Sequence, residues 1–286
     1  MPGSTPIIFD AHVHLWSHDS ARFPSIGWRD TGGGGLPPED GTADRLVKLM
    51  DEAGVGGALN VQVPWYGEDN RYHHDLVQRF PGRFAFLAVV DLDRPGAGAR
   101  LAKMAATEGA QGVRIHFPER DRDKKVAAGE HDDVLKVALD LGLPVQFLVP
   151  RPDQLWAVQA AIKRFDGLIV VIDHLCHPDP RFAPDYAAWQ PFFDLGQYAR
   201  AFVKVSLQQN CSHVDFPFAD LHGFQRRTLE AYGPARCLWG SNFPLIPAKY
   251  SYAQILSVVK DHFDWLGADE LEMVLGGSAR QLWQVA

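Results

Sequence analysis

Cysteine is scarce in this chain of 286 residues: Cys176, Cys211 and Cys237 are its only three, and none forms a C-x-x-C pair. An odd number cannot pair completely within one chain, so a disulfide framework is excluded and a reduced, cytoplasmic protein is expected. Long apolar runs are missing as well. None approaches 18 residues, and the stretch Met1 to Pro6 carries neither a basic residue nor a hydrophobic signal core, so membrane insertion and secretion are not expected. Positive charge is also in short supply. With 28 Lys+Arg against 35 Asp+Glu, a net charge of −7 and no basic run longer than two residues, the chain lacks the electrostatic footprint of nucleic-acid binding. Pro/Ser-rich linkers are absent, and so are internal repeats beyond an alternation of short and long elements.

What is present is an ordinary globular composition, 46% hydrophobic and 22% charged, enough to bury a large core. Eight short, β-rich runs are predicted as strands at Ile7–His14, Gly57–Val63, Ala85–Val90, Gly112–Phe117, Pro144–Val149, Leu168–His174, Phe202–Ser206 and Cys237–Asn242. Helical stretches lie between them at Ala43–Ala53, Arg71–Phe80, Gly98–Glu108, Asp132–Leu141, Asp153–Phe165 and Phe218–Tyr232, most ending on a glycine turn. A further helix at Tyr252–Phe263 is followed by Asp269–Leu275 and a short helix from Ser278, whose start reads as an N-cap. Runs such as Leu168-Ile169-Val170-Val171-Ile172 are apolar on both faces, as parallel strands covered by helices must be. The expectation is an α/β protein, one (β/α)8 TIM-like barrel over residues 1–286. The connection from Leu15 to Gly41, with Trp16, Phe23 to Trp28 and four glycines at 32–35, is longer than compact domains tolerate without a purpose and reads as a lid.

Barrel chemistry sits at the C-terminal ends of strands, so polar residues there carry the weight. In Asp10-Ala11-His12-Val13-His14 the spacing of two puts both imidazoles on one face, and His174 follows an apolar run on strand six. Three neutral imidazoles on one barrel face suit a Zn²⁺ site with an open fourth position. Arg114 and His116 also share a face, with Arg114 a guanidinium fork for a carboxylate or lactone oxygen. Gln62, Gln146, Lys204 and Ser206 occupy comparable positions, where hydrogen bonding inside the barrel competes with substrate contact. Trp16, Trp65, Tyr66 and Trp28 are candidates for the pocket lining, with packing as the alternative for these aromatics. Asn242 sits at the end of strand eight, where a catalytic group is expected.

Taken in order, Asp10-Ala11-His12-Val13-His14-Leu15-Trp16, Gly112-Val113-Arg114, Ile172-Asp173-His174, Val203-Lys204 and Trp239-Gly240-Ser241-Asn242-Phe243-Pro244 resemble the amidohydrolase superfamily. Within it they look like the branch of 2-pyrone-4,6-dicarboxylate and sugar lactonases. The resemblance runs from residue 7 to the C-terminus and implies a TIM-like barrel in which His12, His14 and His174 polarise a substrate carbonyl, with no cofactor or with one divalent metal, Zn or Mn. It implies a small-molecule substrate, anionic or polyhydroxylated, and allows a homo-oligomer.

One departure bears on mechanism. The branch usually carries Asp in the strand-eight motif as general base, whereas this chain has Asn242, which has no proton-accepting carboxylate. Three readings stay open: a catalytically impaired variant, a hydrolase with another base such as His116 or His213, and a non-hydrolytic decarboxylase or lactone isomerase. Cys176-His177 and Cys211/His213 also depart from the branch, and a thiol beside an imidazole is either a nucleophile or loop filling. The leading expectation is a hydrolase opening a lactone or cyclic ester.

Overall fold

The computed structural model describes residues 8–25, 41–118 and 121–283. Among the described residues eight strands run in parallel: β1 Ile8–Val13, β2 Val55–Val61, β3 Phe84–Leu87, β4 Val113–His116, β5 Val145–Leu148, β6 Val170–Ile172, β7 Ala201–Val205 and β8 Cys237–Trp239. They pair as β1-β2-β3 and β4-β5-β6-β7-β8. Two parallel bridges, Ala88 to Val113 and Val13 to Phe243, join those sheets at both seams, so the strands close into a (β/α)8 barrel.

The helices among the described residues are α1 Ala43–Ala53, α2 Arg71–Arg79, α3 Ala97–Glu108, α4 Arg122–Ala128, α5 Asp132–Leu141, α6 Leu155–Arg164, α7 Gln190–Asp194, α8 Gln208–Cys211, α9 His222–Tyr232, α10 Tyr252–Lys260, α11 Ala268–Glu272 and α12 Ser278–Leu282. Helix α1 shows why the pattern was readable. Ala43, Leu46 and Met50 recur at helical spacing and are buried, and Gly54 ends the helix in the left-handed region at φ 74°. No helix is long and apolar enough to cross a membrane, among the described residues.

Two layers of apolar side chains surround the strands. The larger packs the helices onto the outside of the barrel. The smaller joins Phe9, Ala11, Leu59, Val61, Ala85, Leu87, Val171 and Leu238 to Ala279 and Trp283, so the C-terminal helix closes the floor of the barrel. The start of α12 differs from the expectation: Ser278 caps nothing, because a π-helical turn at Met273–Gly277 runs directly into the helix, and its hydroxyl is buried. Of the expected lid, residues 26–40, with Trp28 and the four glycines, lie outside the described residues.

Candidate active site

The backbone brings the histidines together by two routes. His12 and His14 project from the end of β1, where register shifts between Asp10 and Val13 turn both into the barrel. Gly240 allows this approach: a Cβ there would lie 2.8 Å from Cβ of His12. Behind the strand, Oδ1 of Asp10 accepts from the backbone N–H of His12 (3.1 Å) and of Ser241 (2.9 Å), while Oδ2 accepts from the Tyr252 hydroxyl (2.9 Å). Asp10 thus fastens β1 to the segment after β8 and to α10. Burial pushes its carboxyl up to about 6 against those hydrogen bonds.

His174 arrives differently. The expected strand stops at Ile172, and His174, Leu175, Cys176 and His177 all take positive φ, between 48° and 56°. Such a left-handed turn costs roughly 1–2 kcal/mol per residue for non-glycine side chains and persists only where surrounding contacts enforce it. Here the Trp189 indole donates to the Cys176 carbonyl (2.9 Å), and Leu175 and Cys176 are buried. Asn242 likewise lies beyond β8, at φ 63°, with its N–H donating to the His12 carbonyl (2.9 Å). Asparagine tolerates this conformation better than most residues.

The imidazoles converge. His12 and His14 face each other through Nε2 at 3.1 Å, and the His12 ring lies 4.4 Å from that of His174. Nδ1 of His14 reaches the Val61 carbonyl (2.9 Å), and Nδ1 of His174 reaches the Ser206 hydroxyl (2.8 Å). Burial is the main reason all three stay neutral: His14 is pushed down to about 3, and His12 and His174 fall well below the ordinary imidazole value, with Lys204 adding to the effect at His12 and Arg114 at His14.

Asp173 is the hub that the sequence reading passed over, although it stands inside the motif that named His174. Its Oδ2 accepts from Arg114 Nε (2.8 Å), Arg114 Nη2 (2.7 Å) and Gln146 Nε2 (3.0 Å). Its Oδ1 lies 3.4 Å from His12 Nδ1 and 3.8 Å from Lys204 Nζ. Burial alone would raise this carboxyl, but Arg114, His12 and Lys204 outweigh it and hold it well below the usual carboxylate range. Lys204 is fully buried, its ammonium on Gln146 Oε1, 3.2 Å from His12 Nδ1 and 5.3 Å over the Trp283 ring. Burial, aided by Arg114, pushes it down to about 7 against the pull of Asp173. Arg114 therefore commits two of its three guanidinium nitrogens to Asp173, which takes part of the expected fork away from substrate.

The remaining candidates are placed as follows. His116, at the end of β4, is held well below the ordinary imidazole value by burial and then by Arg114. Gln62 turns its amide to the Asp69 carbonyl (2.8 Å) and the Asn70 side chain (3.3 Å), bracing the turn into α2. Trp16 and Trp65 meet edge to face at 5.4 Å, and the Tyr66 hydroxyl exchanges hydrogen bonds with the backbone of Ser17. These aromatics are brought together with one another at the base of the segment after β1. His213 is half-exposed, 3.8 Å from Asp179. The Cys176 thiol is pushed up by burial and that of Cys211 up to about 12, so neither is an activated nucleophile.

By distance, His12, Asp173 and His174 could hold a metal ion, since their ligand atoms lie within 4.8 Å of one another. Hydrogen bonding and charge do not fit it. Asp173 already answers two cations, and Lys204 stands beside both His12 Nδ1 and Asp173 Oδ1.

With this geometry in hand, likeness to known proteins is informative. An L-fucono-1,5-lactonase of Burkholderia multivorans is 26% identical over 286 residues, 96% of this chain and 95% of that protein. Crystal structures of an amidohydrolase from Burkholderia multivorans, one with bound HEPES and one with bound zinc, superpose with a TM-score of 0.79 at 23% identity, covering 98% of this chain and 100% of that one. A putative 2-pyrone-4,6-dicarboxylic acid hydrolase from Pseudomonas putida gives a TM-score of 0.77 at 22% identity, covering 98% of each chain. At these identities the structures establish the barrel. The amidohydrolase family model (Amidohydro_2) matches residues 9–285, and the chain belongs to that family.

Proposed function

We propose that this protein opens the ring of a lactone or related cyclic ester of a small anionic or polyhydroxylated acid by attack of water. The observation that carries the reading is the pairing of buried positive charge, Arg114 fixed on Asp173 with Lys204 beside it, with three neutral imidazoles at the end of the barrel where the strands terminate. Positive charge fixed in a water-poor site favours a carbonyl oxygen that turns negative, and an unprotonated imidazole can take a proton at neutral pH. The lactonase similar to this chain over nearly its whole length supports the same chemistry.

In this reading Asn242 holds the water. Its Oδ1 is buried without a hydrogen-bond partner among the described residues and can accept from a water that it cannot deprotonate. His174, anchored through Nδ1, takes the proton on Nε2 as the water oxygen bonds to the carbonyl carbon. Arg114 steadies the oxyanion. The ring C–O bond then breaks, and the proton on His174 passes to the leaving alkoxide. No step runs through a metal.

Asn242 is also the observation that favours a second reading, a lactone isomerase or decarboxylase, since those reactions need no activated water. A panel of sugar-acid and dicarboxylate lactones in water labelled with heavy oxygen separates the two. Hydrolysis places the label in the new carboxylate and releases acid. Unlabelled, isomeric or decarboxylated products would overturn the proposal. Asn242→Asp sharpens the result: with His174 as acceptor the rate should change less than about tenfold, whereas a rise of about 10²–10⁴-fold would mark a hydrolase that lacks its base.

A further inference from the structure

Hydrogen-bond directions across the histidine pair can be assigned from their ends. The Val61 carbonyl can only accept, so His14 carries its proton on Nδ1. Neutral His14 then has a bare Nε2, and the 3.1 Å contact needs a donor from the other side, Nε2–H of His12. Neutral His12 is therefore bare at Nδ1, which faces Lys204 Nζ at 3.2 Å. The other neighbours of Nζ are the Gln146 oxygen, the Asp173 carboxylate and the face of Trp283, all of which call for N–H groups or positive charge. Lys204 donates to His12, His12 to His14, and His14 to the backbone of β2. Each bond has one donor and one acceptor.

A chelated cation demands a different arrangement. Metal held between the two Nε2 atoms needs both bare, which moves the His12 proton to Nδ1; Asp173 Oδ1 at 3.4 Å could accept it, but the ammonium, nearer at 3.2 Å, then faces it donor to donor. Metal held instead between His12 Nδ1 and Asp173 Oδ1, atoms 3.4 Å apart, needs the ground where Nζ already stands, 3.2 Å and 3.8 Å from each. We infer that Lys204 is a built-in cation that keeps divalent metal from the His12/His14/Asp173/His174 cluster, so that this chain works on its own positive charge. The inference does not depend on which reaction the site performs.

Zinc binding to the purified protein tests it, read by metal content after dialysis and by competition with a chromophoric chelator. The parent should lose zinc. Lys204→Met, which keeps length and removes the donor, should hold zinc about 10–100-fold more tightly, the usual worth of a group acting through a ligand. Lys204→Gln should do the same, since its oxygen can accept from a His12 Nδ1–H, and it serves if the methionine variant does not fold. Nitrogen-15 spectra of the parent imidazoles need no variant and should show His12 protonated on Nε2. The inference is overturned if the parent keeps one zinc through dialysis, if a folded Lys204 variant binds zinc no better, or if His12 carries its proton on Nδ1.

Discussion

His12 and His14 reach the candidate site along an extended segment, whereas His174 and Asn242 reach it from left-handed turns just past the ends of β6 and β8. The first pair is cheap in backbone terms: neither residue takes positive φ, and the chain is pinned on both sides of the register shift, by the pairing of Asp10 and Val13 with β2 and by the His14 N–H donating to the Phe243 carbonyl (2.7 Å). The second pair is costly and must be held by what surrounds it, the Trp189 indole at one turn and the His12 carbonyl at the other. The site is thus half regular sheet and half enforced turn. Asp173 stands at the junction of the two, binding the β4 and β5 side chains Arg114 and Gln146 on one oxygen while the other faces His12 and Lys204.

Breaking that junction should have the largest effect. Asp173→Asn keeps the shape but leaves Arg114 and Lys204 buried without an anion, and should cost about 3–5 kcal/mol in unfolding by urea, with activity lost as well. A loss within about 1 kcal/mol would show that the two halves of the site stand independently.

His174→Gln separates chemistry from scaffolding. It should lower kcat by about 10²–10⁴-fold while stability changes little. The pH profile of the parent sharpens this. Because burial lowers the His174 pKa, the unprotonated base persists below the ordinary imidazole value, so His174 brings no fall in kcat/KM between pH 8 and 6.5; Lys204, pushed down to about 7, gains its charge in that window and should raise the rate as pH falls, the decline coming only in stronger acid. A limb centred near 6.5, the ordinary imidazole value, would overturn His174 as the base.

Arg114→Lys keeps charge on the sheet side but loses the fork on Asp173, and transition-state binding should weaken by about 1–3 kcal/mol in kcat/KM. An unchanged kcat/KM would place Arg114 outside the machinery. The smallest effect belongs to the strained turn. His177→Asn, at φ 48°, should stabilise by up to about 1 kcal/mol, because asparagine accepts the left-handed region more readily. The same exchange at His14, on the extended segment, should bring no gain.

Helices α1 and α5 fall on the expected residues, Ala43–Ala53 and Asp132–Leu141, because apolar spacing and a closing glycine are local signals. The His12/His14 pair was legible for the same reason. Strands six and eight were expected to run on to His174 and Asn242, yet they stop at Ile172 and Trp239, because the turns that follow are imposed by distant packing partners. The hub role of Asp173 left no mark in spacing either, since a lone carboxylate before a histidine reads the same whether or not cations meet it.

What the sequence determined by itself is the alternation of strand and helix, the closed barrel, and the set of polar residues at strand ends. Burial on both faces of each strand and the two-residue repeat suffice for that. Only the tertiary structure decided how those residues are connected. Lys204 stands 192 positions from the His12 ring it touches, and Ser241 stands 231 from the Asp10 carboxylate that holds it. Contacts at such separations follow from closure of the barrel, and their hydrogen-bond directions from which neighbour can only accept and which can only donate.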